Sequence, residues 1–285
     1  MPMDLSWIGR ETGPFELVWT AEQVILYALG IGARELQFTT ENSEGVLLQV
    51  LPTFVTTVGK GGAAGHLSVL SFGDYGPHQV VHHSQRVEVY RPLSAEGRAL
   101  STLRIDGIWD KRVGAQVDVV ATAVDPATGE PMFQNRTALF VLGEGGFGGE
   151  RGLTHAAPRR PRRPADATVV QPTHAAQALL YRLSGDRAPI HSDPSVAQRA
   201  GFARPILHGL CTFGFAGRAL LSALCGDDPA RFQSMEGRFA KPAYPGDELV
   251  TEIWRGDESA FFEVRNGSGE VLIERGTFGF AKAQG

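Results

Sequence analysis

HGLCTFGFAGRALLSAL, running from His208 to Leu224, decides the fold. Its one full charge is Arg218, and Gly209, Gly214 and Gly217 keep its backbone close to whatever packs on it. A helix apolar on every face has to be buried. Downstream lie four runs of strand-forming residues, Met235–Phe239, Glu248–Trp254, Ala260–Arg265 and Val271–Phe280, joined by turns at Pro245-Gly246 and Gly267-Ser268-Gly269. A buried helix wrapped by an antiparallel sheet is the predicted architecture of this half.

Upstream of the helix, an amphipathic segment from His174 to Ser184 reads as a helix closed by Gly185. A second, shorter helix has Asp193 at its N-cap, Pro194 at its first position and Gly201 past its end. Between them Asp186 and His191 flank Pro189, which forbids a helix and lets both side chains project from one loop. A carboxylate beside an imidazole suits acid-base chemistry. The ordinary alternative is a turn-capping Asp and a surface His, and Asp193 is assigned to capping alone. His208 and Gly209 open the buried helix, where unpaired amides and the positive end of the dipole meet the contents of the cavity; Gly209 serves packing as well. A metal held by Asp186, His191, Asp193 and His208 would match no familiar zinc spacing, so no metal site is predicted.

The N-terminal half reads similarly but less completely. Thr20 caps a helix from Ala21 to Leu29, with Glu22 in its first turn and Gly30 and Gly32 at its end. Val80–Tyr90, Ala99–Trp109, Ala115–Val124 and Pro131–Leu142 read as strands. Thr53 to Pro77 is too rich in Gly and Ser for a long helix. The fold class is therefore α+β, with two strand-rich repeats of the hot-dog type, the C-terminal one wrapped around the buried helix. The repeats are residues 1–142 and 168–285, joined by a Gly-, Pro- and Arg-rich linker at 143–167. GEGGFG, Gly143 to Gly148, matches a dinucleotide-binding pattern, but no helix follows to meet a phosphate, so it reads as a turn. Arg159, Arg160, Arg162 and Arg163 read as a solvated connector.

Composition excludes several classes. In 285 residues, 42% are hydrophobic, 20% are charged and the net charge is −4, which fits a globular chain and argues against a nucleic-acid partner. Cys211 and Cys225 would lie about 21 Å apart along a helix, so they read as reduced thiols. No apolar run reaches the roughly 18 to 20 residues of a membrane span. Neither a leader at the N-terminus nor a targeting signal at Lys282 to Gly285 is recognisable, which makes the cytoplasm the expected location.

YRLSGDRAPIHSDPSVAQRAGFARPILHGLCTFG, from Tyr181 onward, resembles the hydratase 2 motif of MaoC-like (R)-specific enoyl-CoA hydratases of the two-hot-dog type. The likeness extends to YALGIGARELQFTTE, VLPTF, VEVYRPLSAEG, GEGGFGG and RFAKPAYPGDEL. It implies that Asp186 and His191 hold one water against C3 of a trans-2-enoyl-CoA and that the Gly209 amide polarises the thioester carbonyl. It places His82, His83, Lys111, Phe239, Tyr181, Arg187 and Ala188 near the acyl-CoA, with Arg238 and Lys241 as further phosphate candidates. Two positions depart from the family: Ala188 stands where it has Asn, and His83 where it has Gly. The resemblance further implies that coenzyme A enters only as part of the substrate, with no separate cofactor, and that the chain is a homodimer. Thioester hydrolysis, and acyl-CoA binding with little or no catalysis, are the competing readings.

Overall fold

The computed structural model describes residues 3–58, 72, 73, 75, 79–152 and 158–282. In the first half the strands are β1 (Glu11–Trp19), β2 (Val80–Val89), β3 (Gly97–Asp110), β4 (Gly114–Val124) and β5 (Pro131–Leu142). In the second they are β6 (Ala167–Pro172), β7 (Phe232–Phe239), β8 (Glu248–Arg255), β9 (Ser259–Asn266) and β10 (Val271–Phe280). All ten form one antiparallel sheet in the order β1-β3-β4-β5-β2-β7-β10-β9-β8-β6. Read from either edge, the order is the same, so the sheet is a double hot-dog built of two five-stranded units. The seam is β2 against β7, in a register that sets Ser84 opposite Arg238 and Val87 opposite Met235. Period-two alternation turns Ala99, Ser101, Leu103 and Ile105 of β3 into the core.

The helix Gly209–Leu220 fills the concave side and runs into a π turn, Leu221–Cys225, ended by Gly226 at φ 64°. Phe213, Phe215 and Leu220 are at most 1% exposed. Two glycines admit the other repeat: a Cβ at Gly214 would lie 2.6 Å from Ile31, and one at Gly217 would lie 2.6 Å from Thr53. The helix Ala21–Gly30 and the 3-10 turn Pro52–Thr56, both from the N-terminal half, therefore press against the helix of the C-terminal half. Among the described residues, the Gly- and Ser-rich stretch from Thr53 contributes that single turn; the rest of it lies largely outside them.

Several elements differ from their predicted form. The strands β1 and β6 form the two edges and carry weak signals, β1 through Gly13-Pro14 and a mostly exposed face, β6 through its six-residue length. The predicted helix from His174 is α-helical only over Gln177–Tyr181 and tightens to 3-10 over Arg182–Ser184. Its opening residues form a turn held by side chains, the His174 amide donating to Gln177 Oε1 at 3.2 Å and the Ala176 amide to His174 Nδ1 at 3.1 Å. The connector is not simply solvated. Arg160 contacts Glu252 and lies 5.1 Å over the Trp254 ring, and Arg163 bonds Asp166 and the Arg255 carbonyl, tying the segment to the C-terminal sheet. In the GEGGFG turn the amides of Gly146 and Gly148, with that of Arg112, converge on the Asp110 carboxylate (2.8, 2.8 and 2.9 Å). The glycine cradle thus encloses an anion of the chain itself, and these amides lower the Asp110 pKa. Both cysteines are free and buried. Among the described residues no helix is long and apolar enough to cross a membrane.

Candidate active site

Gly185, at φ 135°, ends the helical segment and starts the loop. Asp186 follows, and its Oδ1 accepts from the Ala188 amide at 3.0 Å. Pro189 opens a 3-10 turn that ends at His191, and Asp193 caps the next helix, Pro194–Arg199, through the amides of Ser195 and Val196 (2.8 and 3.4 Å). The two punctuated helices hold the loop between them. His191 Nε2 lies 3.9 Å from Asp186 Oδ2, the imidazole 11% exposed and the carboxylate 51% exposed. The other ring nitrogen, Nδ1, lies 2.9 Å from the Ile206 carbonyl. A carbonyl only accepts, so the proton is assigned to Nδ1 and the Nε2 lone pair faces the carboxylate. Burial lowers the His191 pKa, against the pull of the Ile206 carbonyl and Asp186, and favours this neutral form.

Behind the pair stands His208, 1% exposed, its ring stacked on His191 with centroids 3.7 Å apart. Its carbonyl accepts the Cys211 and Thr212 amides, while the Gly209 and Leu210 amides at the helix start have no partner among the described residues. Burial and the adjacent His191 bring the His208 pKa down to about 4. Phe239 packs on Gly209, where a Cβ would meet its ring at 3.3 Å, and His82 meets the same ring edge-on at 4.9 Å. The buried His82 Nε2 has no hydrogen-bond partner among the described residues, and burial lowers its pKa to about 4. Tyr181 is 1% exposed, 5.0 Å from His208 and 6.1 Å from Tyr27 between ring centroids. The site is thus one open carboxylate, three imidazoles whose surroundings favour the neutral form, and the amide end of a buried helix.

Residues 156–276 match the MaoC like domain family, and residues 18–143 match the MFE-2 hydratase 2 N-terminal domain family. The chain belongs to the MaoC-like hydratase 2 family. It is 45% identical to 3-hydroxyacyl-thioester dehydratase Y of Mycobacterium tuberculosis, over 90% of this chain and 88% of the relative. It is 40% identical to an enoyl-CoA hydratase of the same organism, over 90% of each chain. The crystal structure of a MaoC-like dehydratase from Phytophthora capsici superposes with a TM-score of 0.90 at 29% identity, covering 98% of both chains.

In this MaoC-like chain the remaining sequence candidates scatter. His83 is the extra residue of a bulge in β2, and its ring lies 6.0 Å from that of Phe140, away from the pairing of His82 with Phe239. The Lys111 ammonium donates to the Arg151 carbonyl at 2.6 Å. Arg238 lies 3.2 Å from Glu274, and Lys241 lies 2.6 Å from Glu270. Each of the last two already has a carboxylate partner. Arg187, next to Asp186, borders a cavity of about 280 Å³ lined by Leu26, Phe54, Val58 and Leu183. A larger hollow of about 360 Å³ lies elsewhere, at Trp19, Arg91 and Asp125, where Arg91 is paired with Asp125; it touches none of the loop residues. Neither the Ile206 carbonyl nor the cavity lining was anticipated. A main-chain acceptor leaves no mark in sequence, and the cavity joins residues more than a hundred positions apart.

Ligand atoms of Asp186, His191 and His208 lie within 4.8 Å of one another, a spacing compatible with a shared ion. The rings are inclined by only 21° and stacked 3.7 Å apart. An imidazole binds a metal along a lone pair in its own plane at about 2.0–2.1 Å. Two nearly parallel, face-to-face rings direct those lone pairs side by side and do not converge on one ion.

Proposed function

We propose that the chain catalyses reversible hydration of trans-2-enoyl-CoA to (3R)-3-hydroxyacyl-CoA. The 3.9 Å gap between Asp186 Oδ2 and His191 Nε2 carries this reading. Both atoms are acceptors, so neither can bond the other, and a molecule with two hydrogens to donate fits between them. A water about 2.8 Å from each satisfies both and turns its own lone pair outward. That oxygen bonds C3 as Asp186 takes a proton, the C2=C3 π electrons move toward the thioester carbonyl, and a proton returned to C2 completes the addition. Water and proton arrive from one loop, hence on one face of the double bond. His191 orients the water and shares the proton traffic. The Gly209 amide and the helix end stabilise the developing charge on the thioester oxygen, a contribution of about 3 kcal/mol for a donor of this kind.

The acyl chain is assigned to the cavity lined by Leu26, Phe54, Val58 and Leu183, which joins the two repeats beside Arg187. Its volume is near the lower end of ligand pockets, about 300 Å³. The mechanism requires neither a redox group nor a metal, since only a proton and a hydroxyl are added. The deciding assay follows loss of the enone absorbance across a series of trans-2-enoyl-CoA chain lengths, with free thiol measured in parallel. Hydration bleaches the enone and releases no thiol; thiol release in its place would make the chain a thioesterase, and binding without either would make it an acyl-CoA carrier.

A further inference from the structure

His208 meets both members of the dyad and the helix that follows them. Its ring covers one face of His191, at 3.7 Å and 21°. Its Nε2 lies 3.1 Å from the Asp186 main-chain carbonyl, which places its proton on Nε2, and its buried Nδ1 has no partner among the described residues. Each partner needs this restraint. The single bond from His191 Nδ1 to Ile206 fixes one nitrogen and leaves the ring free to turn about that bond until a second ring lies against its face. Asp186 follows a glycine at φ 135°, and the bond to its main-chain carbonyl restrains the residue together with the Ala188 amide on its Oδ1.

We propose that His208 is a positioning residue for hydration, its ring setting the plane of His191 and its Nε2–H holding the main chain of Asp186, so that the 3.9 Å gap keeps the width of one water. The inference rests on the hydratase reading. The groups facing His208 are Asp186, His191, Arg182 and Tyr181. A neutral His208 serves the role best, because a charged one would repel the proton that His191 handles during turnover.

Two full-length variants separate the contacts: His208→Phe keeps an aromatic face and loses the N–H, while His208→Gln keeps a donor and loses the face. In folded protein each is expected to lower kcat about tenfold or more, since a misplacement of about 1 Å is enough for such losses, with KM within about threefold. The acid limb of kcat/KM should shift only in the Gln variant, upward toward the ordinary His value of about 6.5, because water then reaches His191. A residue needed only for folding would reduce the active fraction and leave that limb in place. A folded variant with kcat within about twofold of wild type, or an unmoved limb in the Gln variant, overturns the proposal. If neither variant folds, imidazole nitrogen NMR of the wild type at pH 6 decides: a neutral His208 with its proton on Nε2 supports the role, and a proton on Nδ1 or on both nitrogens overturns it. A wild type that hydrates no enoyl-CoA defeats the hydratase reading, and the NMR result then still reports on His208 separately.

Discussion

The side-chain amide of Gln177 donates to the Gly30 carbonyl at 2.6 Å, so the repeat that carries Asp186 closes the end of a helix belonging to the other repeat. The last carbonyls of a helix lack partners within it. Arg218 adds a bond to the Ile31 carbonyl at 2.8 Å, and Cys211 lies 3.4 Å from the Gly30 oxygen. Gln177→Leu leaves the buried Gly30 carbonyl with only the weak Cys211 S–H donor and is expected to lower stability by about 1–3 kcal/mol. Urea denaturation of variant and wild type measures it. By the same contacts, the C-terminal repeat expressed alone from about Ala167 is expected to be insoluble or inactive, with the β7 edge and the faces of Gly214 and Gly217 uncovered.

Asp186→Asn and His191→Ala are each expected to reduce hydration about 100-fold or more while acyl-CoA binding persists, because the flanking caps fix the loop without these side chains. Their effects should not add, since under the proposed mechanism both hold one water. Single and double variants, assayed for turnover and for binding of a saturated acyl-CoA, test this. Either single variant retaining more than about a tenth of wild-type turnover sinks the dyad assignment.

Acid should weaken both activity and stability. The proposed reaction needs a bare His191 Nε2, and burial lowers that group's pKa, so kcat/KM is expected to hold through neutral pH and fall only below the ordinary His range. For stability, His82 and His208 titrate near 4 in the folded chain and near 6.5 when unfolded. Between those values the unfolded chain binds more protons. Their contribution is therefore complete above about pH 6.5 and shrinks as pH falls toward 4, by an amount on the order of a few kcal/mol. Urea midpoints at pH 7 and pH 5 should differ in that direction; a higher midpoint at pH 5 would contradict it.

Ala188→Asn restores the family's amide at an exposed loop position whose own N–H already bonds Asp186 Oδ1. One added hydrogen bond beside the carboxylate contributes about 0.5–1.5 kcal/mol, so straight-chain hydration is expected to rise roughly two- to tenfold. If short chains gain while bulky substrates lose, Ala188 provides room for a larger acyl group. No gain with any chain length would show that the amide has no function in this loop.

Helix punctuation and apolar periodicity were the readable part of the sequence. Asp193, Pro194 and Gly201 bound one short helix, and the glycines of His208–Leu224 mark its burial, because caps and close approach demand particular residue types. The edge strands were not readable: β1 and β6 each pair on one side only and need no continuous apolar pattern. In the site, Asp186 and His191 were visible as a pair across Pro189. The contacts of Ile206 and His208 with His191 were not, since one is made through a carbonyl and the other through a stack, and neither constrains its neighbours in the chain.

One continuous chain carries both repeats across the hydrogen-bonded β2–β7 seam, making a single covalent object of what two identical chains could have assembled from single repeats. In such a dimer every substitution is written twice, and a helix lost from one subunit is lost from both. Fusion removes that bookkeeping. Residues 31–51, the stretch of the N-terminal repeat between its helix and Pro52, contain no histidine, so under the proposed mechanism the ten-stranded sheet has one reaction centre instead of two. Titration with a tight, non-reactive acyl-CoA should saturate at one equivalent per chain, half the stoichiometry of a symmetric pair with the same number of strands.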